Sequence, residues 1–165
     1  MKISREMTEL LSRQVNEELK SAYLYQGMAI WANDAKYVGL SGWMSHQAQE
    51  ELEHARKLNA YILERGGATV LAAVPAPDKA VWASPLECMK DTYDHENKVT
   101  AAFYKLTEEA QAAHDYTTLE FLQWFIKEQT EEEAQCAFWV DRYELAGDNK
   151  SAQLFVDGEI GQRQA

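Results

Sequence analysis

No run of apolar residues in this chain is long enough to cross a bilayer. The N-terminus, MKISREMTELL, lacks the apolar stretch of a secretory signal. Both absences predict a cytoplasmic protein with no membrane partner. Basic residues are scarce: 16 Lys and Arg stand against 27 Asp and Glu, a net charge of −11. Such a surface repels nucleic acid and anionic lipid and attracts cations. Cysteine is limited to Cys88 and Cys136, too few for a disulfide framework, and both read as buried thiols in a reducing compartment. Proline occurs only at 75, 77 and 85, so long tracts on either side are free to be helical. Apolar residues still make up 46% of the 165, which predicts one globular domain with a sizeable core.

Helical periodicity dominates what is present, and no convincing alternating strand occurs. The first helix is expected to follow Ser4 and reach about Asp34. Its apolar stripe is Met7, Leu11, Val15, Glu18, Ala22, Tyr25, Ala29 and Ala32. The second runs from about Gly39 to Arg65, stopped by Gly66-Gly67. The stretch GGATVLAAVPAPDKAVWASP then holds every proline and is long for a loop. A connection of that length can travel the full length of a helix, so the third helix need not be antiparallel to the second. Ser84-Pro85-Leu86-Glu87 opens helix three as a capping box with proline at its first position. That helix runs to about Ala113. After a turn over His114–Thr117, helix four runs from about Thr118 to Ala146, where Gly147 ends it. A short fifth helix at about 149–162 is marginal alone and must dock on something. The expected fold is all-α: an antiparallel four-helix bundle over about 5–146, with a long crossover between helices two and three and a short C-terminal helix, in one domain over 1–165.

Each of the four long stripes carries a misfit. Glu18 interrupts the first and Glu51 the second, with His54 at the second stripe's edge. Glu96 sits in the middle of the third, Met89, Thr92, Glu96, Val99, Phe103, Leu106, Ala110. Gln129 and Glu132 sit in the fourth, Leu122, Phe125, Gln129, Glu132, Cys136, Val140, Tyr143. The halves repeat: 33 residues separate Glu18 from Glu51, and 33 separate Glu96 from Gln129. His54 lies three after Glu51 and Glu132 three after Gln129, so each pair shares a helix face. A buried carboxylate costs several kcal/mol, roughly, unless paired. Several in one layer cannot all ionise without a compensating cation, and a pair of divalent metals meets that need. This pattern of glutamates with Glu-x-x-His is already known from ferritin-like di-metal bundles.

The chain resembles a non-haem bacterial ferritin along nearly its whole length. NEELKSAYLYQ (16–26), HQAQEELEHARKL (46–58), DTYDHENKV (91–99), FLQWFIKEQTEEE (121–133) and the LAGDNKS break carry the resemblance. It implies a hollow shell of 24 four-helix subunits that oxidises Fe(II) with O2 or hydrogen peroxide and stores ferric mineral. By the same resemblance Glu18, Glu51 and His54 match the first iron site, with Glu51 bridging. Glu96 belongs to the second iron, with Gln129 beside it. Glu50, Glu128, Glu131 and Glu132 match a third iron site on the inner side. Tyr25 matches a tyrosine beside the centre that could supply an electron, and Trp124 an aromatic neighbour. From the residues alone, Tyr25 is equally a core tyrosine and the run Glu131–Glu133 a solvated face. Gln129 is a neutral amide and the second half offers Gln129-x-x-Glu132 with no histidine in the pair, so the first site is expected to be tight and the second exchangeable.

Other members of the wider group fit less well. Bacterioferritins place a haem-ligating methionine directly after the bridging glutamate, where this chain has Leu52; no haem is expected. The Cys-x-x-Cys of rubrerythrins is missing. Mini-ferritins put their site between subunits. Leu19, Tyr23, Leu24 and Trp31 on helix one and Tyr61 on helix two are read as facing away from the bundle core, which favours a homo-oligomer. His46, His95 and His114 have no partner in the pattern and are read as surface residues. Two other functions stay open at this stage: a fixed di-metal enzyme that consumes peroxide without storing mineral, and a non-catalytic metal buffer.

Overall fold

Ser4 starts the first helix. Its hydroxyl accepts from Met7 N at 3.0 Å, and the computed structural model, which describes residues 2–163, then continues as α1 (Arg5–Asp34). Every residue of the expected α1 stripe is buried, Glu18 included. A tight turn leads into α2 (Val38–Glu64), and Gly66 follows with φ +72, the left-handed value that glycine adopts without strain. The crossover at 67–84 has no helix or strand. Asn16 pins it to α1: its Nδ2 donates to Val70 O at 2.9 Å and its Oδ1 accepts from Ala72 N at 2.7 Å.

Ser84 caps α3 (Pro85–Ala112) by accepting from Glu87 N at 3.1 Å. Glu87 reaches back one residue further than a capping box requires, to Ala83 N at 2.6 Å. The expected turn at His114–Thr117 is shorter in the structure. Helix α4 (Tyr116–Ala146) begins two residues before Thr118, because Asp115 caps it by accepting from Thr118 N at 3.1 Å. Asn149 caps α5 (Lys150–Gln162).

The long crossover sets the direction of the second hairpin. Arg65, at the C-terminal end of α2, pairs with Asp115 between α3 and α4 at 3.2 Å. The C-terminal ends of α2 and α3 therefore lie together, and these two helices run parallel. Within each hairpin, α1 with α2 and α3 with α4, the helices are antiparallel. Tyr61 is a correction to the outward reading: it is buried, stacked on Phe121 with ring centroids 3.8 Å apart, and bonded to Thr118. Trp31, Leu24 and Leu19 are likewise partly buried against the core, whereas Tyr23 is exposed.

The apolar core is in two parts. One gathers Tyr25, Met28, Leu40, Met44, Met89 and Trp139 toward α5, and the other Leu11, Leu58, Phe103, Leu122 and Phe125 toward the opposite end. The polar residues of the four stripes lie between them in sequence on every helix. The fifth helix docks on the first cluster through Val156 and Ile160. Asp157 fixes its position by accepting from Gly39 N at 2.9 Å and Leu40 N at 2.8 Å, which caps the start of α2. Position 39 admits no side chain: a Cβ there would meet Asp157 O at 1.8 Å.

Candidate metal centre

Six buried side chains from four helices meet in the layer between the two cores. Glu18, Glu51 and Gln129 have no exposed surface, Glu96 has 1% and Glu132 4%. His54 is also buried. Its Nδ1 lies 3.6 Å from Glu51 Oε2 and 4.0 Å from Glu18 Oε2, and its Nε2 lies 3.9 Å from Glu132 Oε1. Three sets of ligand atoms fall within 4.8 Å of one another: Glu18, Glu51 and His54; Glu51, Glu96 and Glu132; and His54, Glu128 and Glu132. Glu51 belongs to the first two sets and Glu132 to the last two.

The hydrogen bonding of the layer is incomplete in a patterned way. Gln14 Nε2 donates to Glu18 Oε1 at 2.6 Å, Gln129 Nε2 donates to Glu96 Oε2 at 2.9 Å, and the Tyr25 hydroxyl donates to Glu96 Oε1. Glu18 Oε2, both oxygens of Glu51, His54 Nδ1, Gln129 Oε1 and both oxygens of Glu132 are buried without a hydrogen-bond partner. Buried polar atoms are almost always satisfied, so a converging group of orphaned acceptors calls for a cation. Without one, protonation is the remaining route to neutrality. Burial pushes Glu51 up to about 8; the hydrogen bond it can share with Glu18 once one of the two is protonated pulls it back, and the charges of Glu96 and Glu50 add to the rise. Burial, with Glu96, Glu51, Glu18 and Glu50 adding to it, pushes Glu132 up to about 11. Burial and the Glu51 charge raise Glu18 well above the usual carboxylate range. Burial and the neighbouring Glu96 raise the Tyr25 phenol. These residues fit a metal of carboxylate and imidazole preference.

The family comparison agrees with this geometry. Residues 8–146 match the family model described as a ferritin-like domain. The chain belongs to the ferritin family. Among its relatives, the bacterial non-heme ferritin of Staphylococcus haemolyticus is 37% identical over 161 residues, covering 98% of this chain and 96% of the relative. That of Staphylococcus aureus strain MRSA252 has the same identity and coverage. In three dimensions the chain matches an open pore ferritin from the hyperthermophilic archaeon Archaeoglobus fulgidus. The TM-score is 0.95 and the identity 43%, covering 98% of this chain and 99% of the other.

Within this ferritin the sequence-predicted residues divide. Glu18, Glu51, His54, Glu96, Gln129 and Glu132 come together as described, with Tyr25 in contact through Glu96. Glu128 joins at the outer edge, and half-buried Glu50 lines the same shallow cavity as His54, Trp124 and Glu128. Glu131 is not brought in: it is exposed and lies 3.9 Å from Lys127, one turn back along the solvent face of α4. His95 also departs from expectation. It is half-buried, bonded to Ser21 Oγ at 2.7 Å, and edge-on to Tyr25 with ring centroids 5.6 Å apart. Gln14 escaped sequence reasoning because it lies beside the stripe; the signal was its position one turn before Glu18. Lys57 was missed too. Its Nζ lies 4.0 Å from the centre of the Trp124 ring, a contact between α2 and α4 that no local pattern announces.

Proposed function

We propose that this ferritin is an iron-storing ferroxidase acting as one domain over residues 1–165, whose ends, residues 1, 164 and 165, lie outside the described residues. One observation carries the reading. Orphaned, buried carboxylate oxygens from α1, α2 and α4 converge with His54, and with Glu96 of α3, between two apolar cores. A layer meant only to specify the fold would satisfy its acceptors internally, as Gln14 and Gln129 each do for one oxygen. Iron enters as substrate, oxidised and passed on.

In this reading Glu18, Glu51 and His54 hold the first Fe(II), and Glu51 presents its second oxygen to an iron shared with Glu96 and Glu132. Gln14 fixes one oxygen of Glu18, which leaves Oε2 to face the metal. Gln129 and Tyr25 occupy both oxygens of Glu96, so the second position starts with fewer free donors and exchanges more readily. Carboxylates stabilise Fe(III) more than Fe(II), which favours loss of electrons to O2 or hydrogen peroxide. Glu132 and His54 each face both the pair and the outer group with Glu128 and Glu50, a third iron site that offers the ferric product a way out. The shell of 24 chains, the mineral inside it, the cytoplasmic setting and the lack of haem belong to the same proposal.

The test is aerobic addition of excess Fe(II) to metal-free protein, followed by ferric absorbance and then by sizing. Rapid oxidation with far more than three irons per chain co-eluting with a large particle supports storage. Retention of only about two per chain on a small oligomer makes the site a fixed di-metal centre instead.

A further inference from the structure

Tyr25 and Trp124 are oxidisable aromatic side chains bordering the metal centre, and their surroundings carry opposite consequences for electron loss. Tyr25 is fully buried, and its hydroxyl donates to Glu96. Trp124 is 39% exposed and stands edge-on to His54, with ring centroids 5.6 Å apart. Lys57, three residues beyond His54 on α2, holds its ammonium 4.0 Å from the centre of the Trp124 ring.

A phenol loses its proton along with its electron. The Glu96 carboxylate already accepts the Tyr25 hydrogen bond, so oxidation there yields a neutral radical and a protonated carboxylate. Indole loses its electron first and passes through a radical cation. An ammonium over the ring is attracted to the electron-rich face of neutral indole and repelled by the cation. We propose that Lys57 is a positioning residue that protects Trp124 from one-electron oxidation and so leaves Tyr25 as the aromatic electron donor.

The proposal takes its oxidant from the ferroxidase reading. Hydrogen peroxide needs two electrons and two protons to become two waters. One Fe(II) supplies an electron and becomes Fe(III). Tyr25 supplies the other electron together with one proton, through Glu96, and solvent supplies the second proton. The O–O bond breaks, and a tyrosyl radical remains. If Trp124 served instead, its electron would leave first and its indole proton would follow to water.

The experiment compares the full chain with Lys57→Gln and Lys57→Arg in two arms. In the first, metal-free protein is oxidised photochemically with a ruthenium polypyridyl and persulfate, and oxidised Trp124 is quantified by peptide mass spectrometry. Lys57→Gln is expected to raise that yield about five-fold, and Lys57→Arg to return it to the wild-type level. Equal yields in wild type and Lys57→Gln overturn the proposal, and so does a yield in Lys57→Arg as high as in Lys57→Gln. In the second arm, Fe(II) and hydrogen peroxide are mixed and freeze-quenched for electron paramagnetic resonance. A tyrosyl signal in wild type that gives way to a tryptophanyl signal in Lys57→Gln, absent when Trp124→Phe is added, supports it. A tryptophanyl signal of equal size in wild type overturns it. Failure of wild type to oxidise Fe(II) at all sinks the ferroxidase reading, and the iron-free arm then decides on Lys57 alone.

Discussion

Glu51 combines two properties that conflict unless a cation is present. It is fully buried, and neither oxygen has a hydrogen-bond donor. With its pKa raised to about 8, the folded protein holds a proton that the unfolded chain releases above the ordinary value of 4.5. The stability linked to Glu51 is therefore complete below about 4.5 and is lost as the pH rises toward 8. Glu51→Gln removes that liability. The metal-free variant is expected to melt roughly 5 °C above wild type at pH 7.5, with the difference vanishing near pH 4.5, as read by calorimetry. The same substitution removes the donor common to two ligand sets. Fast Fe(II) oxidation in stopped flow should fall by at least roughly tenfold. A variant that is less stable and fully active would contradict both halves of this account.

At the scale of elements, the ends of the helices carry much of the specificity. Docking of α5 depends on the close approach of Gly39 and the Asp157 cap. Gly39→Ala must push the two backbones apart. Hydrogen exchange is expected to show early loss of protection across α5, while the centres of α1 to α4 keep theirs. At the opposite end Asp115 ties three elements together through Thr118 and Arg65. Burial works against its charge, but the Thr118 hydrogen bonds and Arg65 outweigh burial and hold its pKa below the ordinary 3.8. The stability it contributes is present above pH 3.8 and is lost as the pH falls through the lowered value. Asp115→Asn should cost about 1 kcal/mol at pH 7. In denaturant titrations the gap to wild type should close as the pH drops below about 4, and a gap that persists there would mean packing, not charge, is responsible.

The whole molecule presents more apolar surface than one bundle needs. Leu145 is 82% exposed, and Phe155 on α5 is 66% exposed. Both lie near the α4–α5 junction, and the outer face of α5 at Leu154 and Phe155 is open among the described residues. If the chain builds a closed shell, such a face is covered in the assembly. Phe155→Glu is then expected to leave particles well short of 24 times the 18.8 kDa chain mass in light scattering. Ferroxidation per chain should persist, since every ligand set lies within one subunit. Full-size particles from this variant would remove α5 from the assembly contacts.

The sequence by itself determined the helices and the polar layer, because both rest on local rules. Period-3.6 stripes, the caps at Ser4 and Ser84 and the breaks at Gly66 and Gly147 are short-range features. Glutamate and glutamine recurring inside apolar stripes at matched 33-residue spacing are visible without coordinates. Only the tertiary structure decided what lies across from what. Tyr61 is buried because Phe121 of α4 covers it, and His95 is half-buried because Ser21 of α1 meets it. Glu131 and Glu132 are adjacent in sequence, yet the 100° helical step turns one into the centre and the other to solvent beside Lys127. Gln14 supporting Glu18 was within reach of a local rule, being one turn away. Lys57 over Trp124, and Asp157 capping α2 from more than a hundred residues downstream, were not. Such contacts are set by how whole helices pack, and packing registers the chain in three dimensions rather than along its length.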